Sequence, residues 1–327
     1  MKKILLFSLL SLALIIPFSA SAEQTKGVVT TIKPLHSLVA GIMGETGAPE
    51  LLVAGNVSPH EFQLKPSQMK VLQEANVVFY IDDSYETFLH DAFETLPAHV
   101  RKAAVAQKGG LTVLAHRKGG AWEAHEYKAH EHEAEETHEH EEHAHHEEHH
   151  HDHGHDDMHV WLDPVNAEKI VKFITKELSA VYPENKVIYK ANASLLVERL
   201  NALDAKLKQD LAGFGDKPFI VFHDAYQYFE TRFGLRAAGS ITLNPDVQPG
   251  ARRIKELRAR LQAGGAVCVF AEPQFEPKLV ATLIDGTNVR KGTLDPIGVA
   301  LTPGPGAYEG LLRGLATDLR TCLGATS

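Results

Sequence analysis

Leu196-Val-Glu-Arg-Leu200-Asn-Ala-Leu203-Asp-Ala-Lys-Leu207-Lys-Gln-Asp-Leu211 places leucines at intervals of four, three, four and four residues. That spacing puts all five on one side of a helix, because side chains three and four apart lie above one another. Pro183 precedes the pattern and Gly213 follows it, and both are natural helix boundaries. A helix over 184–213 would run ~40 Å at 1.5 Å per residue, longer than most helices packed inside one domain. Such an element suits a strut that connects two domains.

Both sides of this helix repeat one theme. Upstream, Gly27-Val-Val-Thr-Thr-Ile32 reads as a strand that Pro34 ends, followed by a helix over 35–42. Glu50–Val53 and Asn76–Ile81 read as further strands, with a helical pattern over 66–74 between them. Order resumes at His159, and a helix is expected over 165–181. Downstream, Lys217–Phe222, Ala266–Ala271 and Lys291–Leu294 read as strands, with helical patterns over 224–233, 251–262 and 277–284. Strands alternating with helices predict α/β lobes with mostly parallel sheets. The expected organisation is an N-terminal lobe over 23–183, the connecting helix, and a C-terminal lobe over 214–327, with a ligand cleft between the lobes.

The N-terminal end addresses the compartment. Lys2 and Lys3 precede an apolar stretch, Ile4 to Phe18, and Ala20-Ser21-Ala22 fits a cleavage site. Residues 1–22 therefore read as a secretory signal peptide, with the mature protein starting at Glu23. The stretch is short against the ~20 residues of a membrane span, and Pro17 interrupts it. No Cys lies near residue 22, so no lipid anchor is expected. A soluble protein of the periplasm follows. Only two cysteines occur, Cys268 and Cys322. In an oxidising compartment such a pair fits a disulfide better than a metal or redox motif, with two free buried thiols as the alternative.

The net charge of −9 is unevenly spread. Residues 123–157 hold fourteen acids and one Lys, a net −13, so the rest of the chain is positive by 4. The same segment carries thirteen His, from His125 to His155. It has no apolar face to bury and is expected to be a disordered insertion. No basic stripe occurs elsewhere, which argues against a nucleic-acid partner.

Metal-competent side chains collect at strand ends. His60 follows the strand at 50–53 by a short loop. His223 comes directly after the strand at 217–222, Glu272 after 266–271, and Asp295 after 291–294. Ligands of open α/β sheets bind beyond the carboxyl ends of the strands. Neutral imidazole suits Zn²⁺ and similar ions, and a carboxylate can complete a tetrahedron. His60, His159 and His223 lie beside tight-turn residues, whereas His36, His90, His99 and His116 do not and read as structural.

Five stretches now carry a resemblance. Gly55-Asn-Val-Ser-Pro-His-Glu-Phe-Gln-Leu-Lys-Pro-Ser67 resembles the first ligand loop of the metal-specific solute-binding proteins of ABC importers. His159-Val-Trp-Leu-Asp-Pro164 resembles their second ligand motif and Val221-Phe-His-Asp-Ala-Tyr-Gln-Tyr-Phe229 their third. Phe270-Ala-Glu-Pro-Gln-Phe275 and Gly292-Thr-Leu-Asp-Pro-Ile-Gly298 resemble the two C-terminal signatures. The zinc-type branch is the nearest: a His-rich loop precedes the second motif, and the third ligand position is His223, where manganese-type relatives carry a carboxylate. The resemblance implies His60, His159 and His223 as ligands of a transported Zn²⁺. It leaves Asp295 or water for the fourth place, with Glu61 and Glu272 as weaker candidates. Pro59 removes an acid that some zinc-type members carry just before the first His. It also implies a Cys268–Cys322 disulfide, an ABC membrane permease with its cytoplasmic ATPase as partner, and a monomeric state.

Three other readings compete. A manganese- or iron-specific protein of the same family would favour a harder site than three imidazoles offer. A zinc buffer without a permease would share the binding site. A metallopeptidase would use His146-Glu-Glu-His-His150, which matches H-E-x-x-H literally, but it falls in a tract of His and Glu with no apolar flank to anchor a helix. No enzymatic activity is expected.

Overall fold

The computed structural model describes residues 24–118, 122, 156–242, 245, 248–276 and 278–324. The leader over 1–22, the mature start at Glu23, the His-rich tract up to 155 and its H-E-x-x-H match lie outside the described residues.

The N-terminal lobe opens with β1 (Val28–Thr30), a short β-branched run buried on both faces. Helix α1 (Lys33–Met43) follows, with Pro34 in its first turn and Gly44 at its end. Then come β2 (Glu50–Leu51), α2 (Pro66–Gln73), β3 (Val77–Tyr80), α3 (His90–Thr95), β4 (Arg101–Ala104) and α4 (Val105–Lys108). The strands form a sheet in the order β2-β1-β3-β4 with every pairing parallel. A small antiparallel pair, β5 (Leu114–Ala115) with β6 (Asp156–Asp157), closes the two ends of the His-rich tract onto each other. The disordered insertion expected over 123–157 therefore loses its last two residues, because Asp156 and Asp157 are strand partners of Ala115 and Leu114.

Helix α5 (Pro164–Val181) starts on Asp163, whose side chain accepts the N–H of Val165 at 2.9 Å. A 3-10 turn at Pro183–Asn185 leads into the long helix α6 (Lys186–Leu211), 26 residues and so about 39 Å. Leu196, Leu200, Leu203, Leu207 and Leu211 are all buried. The C-terminal lobe adds β7 (Phe219–His223), α7 (Gln227–Phe233), β8 (Ala237–Thr242), α8 (Ala251–Gln262), β9 (Cys268–Ala271), α9 (Lys278–Ile284), β10 (Arg290–Thr293) and α10 (Ala307–Gly324). Its sheet runs β10-β9-β7-β8, again all parallel. A disulfide joins Cys268 of β9 to Cys322 of α10.

The period of two along the strands sorts the core into three parts. Val77 and Phe79 of β3, with Phe219 and Val221 of β7, face a common interior built on α1, α5, α6 and α10. Val78 and Tyr80 face the opposite way, into a smaller core under α2 and α3. Ile220 and Phe222 do the same under α8 and α9. The two lobes thus share one apolar helical layer between their sheets. Polar bonds reinforce it. Lys33 Nζ donates to the carbonyls of Gly298 (2.5 Å) and Val299 (2.7 Å), Trp161 Nε1 donates to Pro296 O (2.8 Å), and Tyr308 N donates to Ser37 Oγ (2.9 Å). No helix among the described residues is long and apolar enough to cross a membrane.

Candidate metal centre

Both sheets reverse their strand order beside their first strand, between β1 and β3 in one lobe and between β7 and β9 in the other. Ligand sites of open α/β sheets form at such switch points. His223 is the last residue of β7, and Glu272 follows β9 directly. His60 sits in a 3-10 turn, Pro59–Glu61, which Pro59 starts and Ser58 Oγ caps by accepting the N–H of His60 at 3.2 Å. His159 lies just past β6, at the N-cap of a 3-10 helix, Val160–Leu162, and Asp157 Oδ1 accepts its backbone N–H at 3.0 Å.

These placements bring the three imidazoles together. One ring nitrogen from each lies within 4.8 Å of the others. The Nε2 atoms of His159 and His223 are 3.2 Å apart, and His60 Nε2 is buried with no protein partner among the described residues. Behind the rings stand two carboxylates. Asp157 Oδ1 lies 2.8 Å from His159 Nδ1, and Glu272 Oε1 lies 2.7 Å from His223 Nδ1. A carboxylate on Nδ1 fixes the proton there and leaves Nε2 as the donor atom, the usual arrangement behind metal-binding His. The rings enclose a cavity of about 10 Å³, with Tyr85, Phe275 and Ile297 among its walls. Tyr85 packs its edge on His60 at 4.9 Å between centroids.

Burial sets the protonation of the site. It pushes His60 and His159 well below the ordinary imidazole value, helped by the neighbouring imidazoles. For His223 burial works in the same direction, but the charge and hydrogen bond of Glu272 outweigh it and raise the pKa. Burial pushes Asp157 up to about 6, against the pull of the His159 N–H. The result is a cluster of three imidazoles with two buried carboxylates behind them, a set suited to a borderline divalent cation.

Of the residues expected from sequence, His60, His159 and His223 converge. Asp295 stands outside the group. Its Oδ1 accepts the N–H groups of Ile297 (3.3 Å) and Gly298 (2.9 Å) and the amide of Gln274 (3.3 Å), and it does not line the cavity. Glu61 is exposed. Glu272 serves His223 from behind. His36 is a buried residue of α1 bonded to Pro49 O at 3.2 Å, in keeping with its structural reading. His116 directly follows β5, in the segment that leads into the His-rich tract. Asp157 was hidden in the acidic tract, although its place two residues before His159 is the signal that could have found it.

The foot of the tract is tied to the opposite lobe. Tyr228 of α7 accepts the N–H of Leu114 at 2.9 Å and donates to Asp157 O at 2.5 Å. Arg117 pairs with the buried carboxylates of Asp224 and Glu230, and Trp122 stacks on its guanidinium at 3.6 Å.

The chain resembles known proteins along most of its length. Residues 28–322 match the family model described as zinc-uptake complex component A, periplasmic. The chain is 48% identical over 313 residues to the high-affinity zinc uptake system protein ZnuA of Brucella abortus (strain 2308), covering 93% of this chain and 94% of that one. It is 42% identical over 311 residues to the protein of the same name from Paracoccus denitrificans, covering 94% of both. Among solved structures, a ZnuA crystal structure superposes with a TM-score of 0.72 at 24% identity, covering 91% of this chain and all of that one. The periplasmic zinc-binding protein TroA of Treponema pallidum gives 0.73 at 20% identity, covering 91% and 99%. These two likenesses support the fold of paired α/β lobes. With its sequence matched from the first strand to the last helix, the chain belongs to the family of periplasmic component A proteins of zinc-uptake complexes.

Proposed function

We propose that this protein captures Zn²⁺ in the periplasm and hands it to an ABC-type import permease driven by a cytoplasmic ATPase. The observation that carries the reading is the meeting of His60, His159 and His223 through their ring nitrogens in a buried cavity between the lobes. Three neutral imidazoles form a softer set than one with two carboxylates and favour zinc over manganese. The buried carboxylates behind His159 and His223 supply compensating charge without occupying the ion. Asp295 takes no direct place in this scheme, and the fourth position falls to water. The ion leaves unchanged, so no catalytic role is assigned. The leader over 1–22 exports the chain, and the mature protein works as a monomer.

Calorimetric titration tests the reading. The purified mature protein binds one Zn²⁺ tightly and Mn²⁺ much more weakly. His223→Ala lowers zinc affinity far more than His116→Ala. Equal effects of the two substitutions would overturn the assignment. A deletion strain that grows normally under zinc chelation would overturn the transport role.

A further inference from the structure

Three imidazoles leave Zn²⁺ one ligand short of its tetrahedron. The carboxylates near the site are already engaged: Asp157 and Glu272 hold the Nδ1 protons of His159 and His223, and Asp295 is held by the N–H groups of Ile297 and Gly298. Glu272 keeps a second oxygen, Oε2, that is buried without a hydrogen-bond partner among the described residues. That oxygen belongs to the carboxylate that already serves His223, whereas Gln274 is a neutral amide. It lines the same cavity as the three rings, and its Oε1 is buried with no hydrogen-bond partner among the described residues. Its other amide atom is committed, since Nε2 donates to Asp295 Oδ1 at 3.3 Å. That bond sets which way the amide faces. A flipped amide would set its oxygen against the Asp295 carboxylate and lose the bond. The acceptor therefore stays on the side without a protein partner, and a buried acceptor without a donor is costly to keep.

We propose that Gln274 completes the zinc site by accepting, through Oε1, a hydrogen bond from a water molecule bound to the ion at its fourth position. This rests on the zinc reading above. A water on Zn²⁺ is strongly polarised and is a better donor than bulk water. A neutral amide oxygen is a poor direct ligand for zinc, since carbonyl oxygens suit harder ions, but it is a good partner for such a water. Asp295 then acts at one remove, as the positioning residue that orients the amide. A fourth ligand that is an anchored water, and not a protein carboxylate, also leaves the ion easier to release. A cargo protein needs that property.

The test uses the full mature chain with Zn²⁺ and, as a visible probe, Co²⁺. Gln274→Leu removes the acceptor at nearly constant volume. It should weaken zinc binding about tenfold, the low end for loss of an outer-shell partner. It should also shift the Co²⁺ absorption bands and change the response of those bands to thiocyanate, which displaces an exchangeable ligand. Asp295→Asn should give smaller changes in the same direction. An unaltered melting temperature of the metal-free variants shows that the fold is intact. Three results would overturn the inference: wild-type affinity and spectrum in Gln274→Leu, weaker zinc binding with an unchanged cobalt spectrum, or an absorption-edge fit that puts the amide oxygen directly on the metal. Wild-type protein without a tight zinc site would sink the zinc reading and this inference together. Tight binding that Gln274→Leu leaves untouched sinks this inference alone.

Discussion

Glu272 Oε1 accepts the Nδ1 proton of His223 at 2.7 Å, in a contact where both side chains are almost wholly buried. The carboxylate orients the ring and makes Nε2 more basic. Glu272→Gln keeps an acceptor but removes the charge. Its zinc affinity, measured by competition with a chelator, should fall at least tenfold. Wild-type affinity in this variant would refute a role for the charge.

Protons compete with zinc at one ring above all. The pKa of His223 is raised above 6.5 by Glu272 against burial, while those of His60 and His159 are pushed well below it. A raised value means that metal-free His223 carries a proton as pH falls through that value, and zinc must then displace it. Affinity should begin to fall at a pH above that of an ordinary imidazole. More than about half a proton per ion should be released at pH 6.5, where an unshifted His is half charged. Calorimetry in two buffers of different ionisation enthalpy reads this number. No proton release at pH 6.5 would contradict the arrangement.

The tract over 123–155 holds all thirteen of its His in a segment of high negative charge. Such a segment offers ligands in many combinations, but each capture must order chain at about 1–2 kcal/mol per residue fixed. Removing 123–155 should abolish weak, multiple zinc binding and leave the single tight event in place. The pairing of Leu114 with Asp157 allows a short turn to close the gap. Loss of the tight event on deletion would place the main site in the tract instead.

Cys268 and Cys322 join a strand to the last helix across a separation of 54 residues. Closing a loop of that size in the unfolded chain is worth about 4 kcal/mol in the chain-entropy account. Cys322→Ser should lower unfolding stability by an amount of that order and leave zinc affinity within about twofold, since the bond lies in the lobe's interior and not in the cleft. Free thiols in freshly isolated wild-type protein would contradict the bond.

Much of this architecture is legible in the sequence where a signal is periodic or local. The leucine stripe of α6 and the β-branched runs of β1, β3 and β7 mark their elements to within a few residues. The elements that a reading of the sequence passes over have weaker or interrupted signals. The run Ala-Ala-Gly-Ser-Ile-Thr of β8 has little β-propensity, and it becomes a strand because β7 pairs with it. Helix α10 does carry a helical stripe in Leu311, Leu312, Leu315 and Leu319, but the Gly and Pro residues just before it suggest a loop. At the site, the three His are readable as motifs because turn residues flank them. Asp157 and Gln274 are not, because their roles depend on which atoms face which once distant segments meet. Asp295 sits at a strand end and resembles a ligand, yet neighbouring N–H groups take up its carboxylate.

The apolar layer shared by the two sheets also bears on how the molecule comes apart. The inner faces of both sheets belong to one continuous apolar cluster, and within it α1 of the N-terminal lobe packs directly on α10 of the C-terminal lobe, with α6 against both. A chain cut between 183 and 213 would leave each fragment with a wide bare surface, so the lobes are not separable folding units. Heat should therefore melt the metal-free protein in a single calorimetric transition, with equal van't Hoff and measured enthalpies. Zinc should move that transition upward as a whole and not split it.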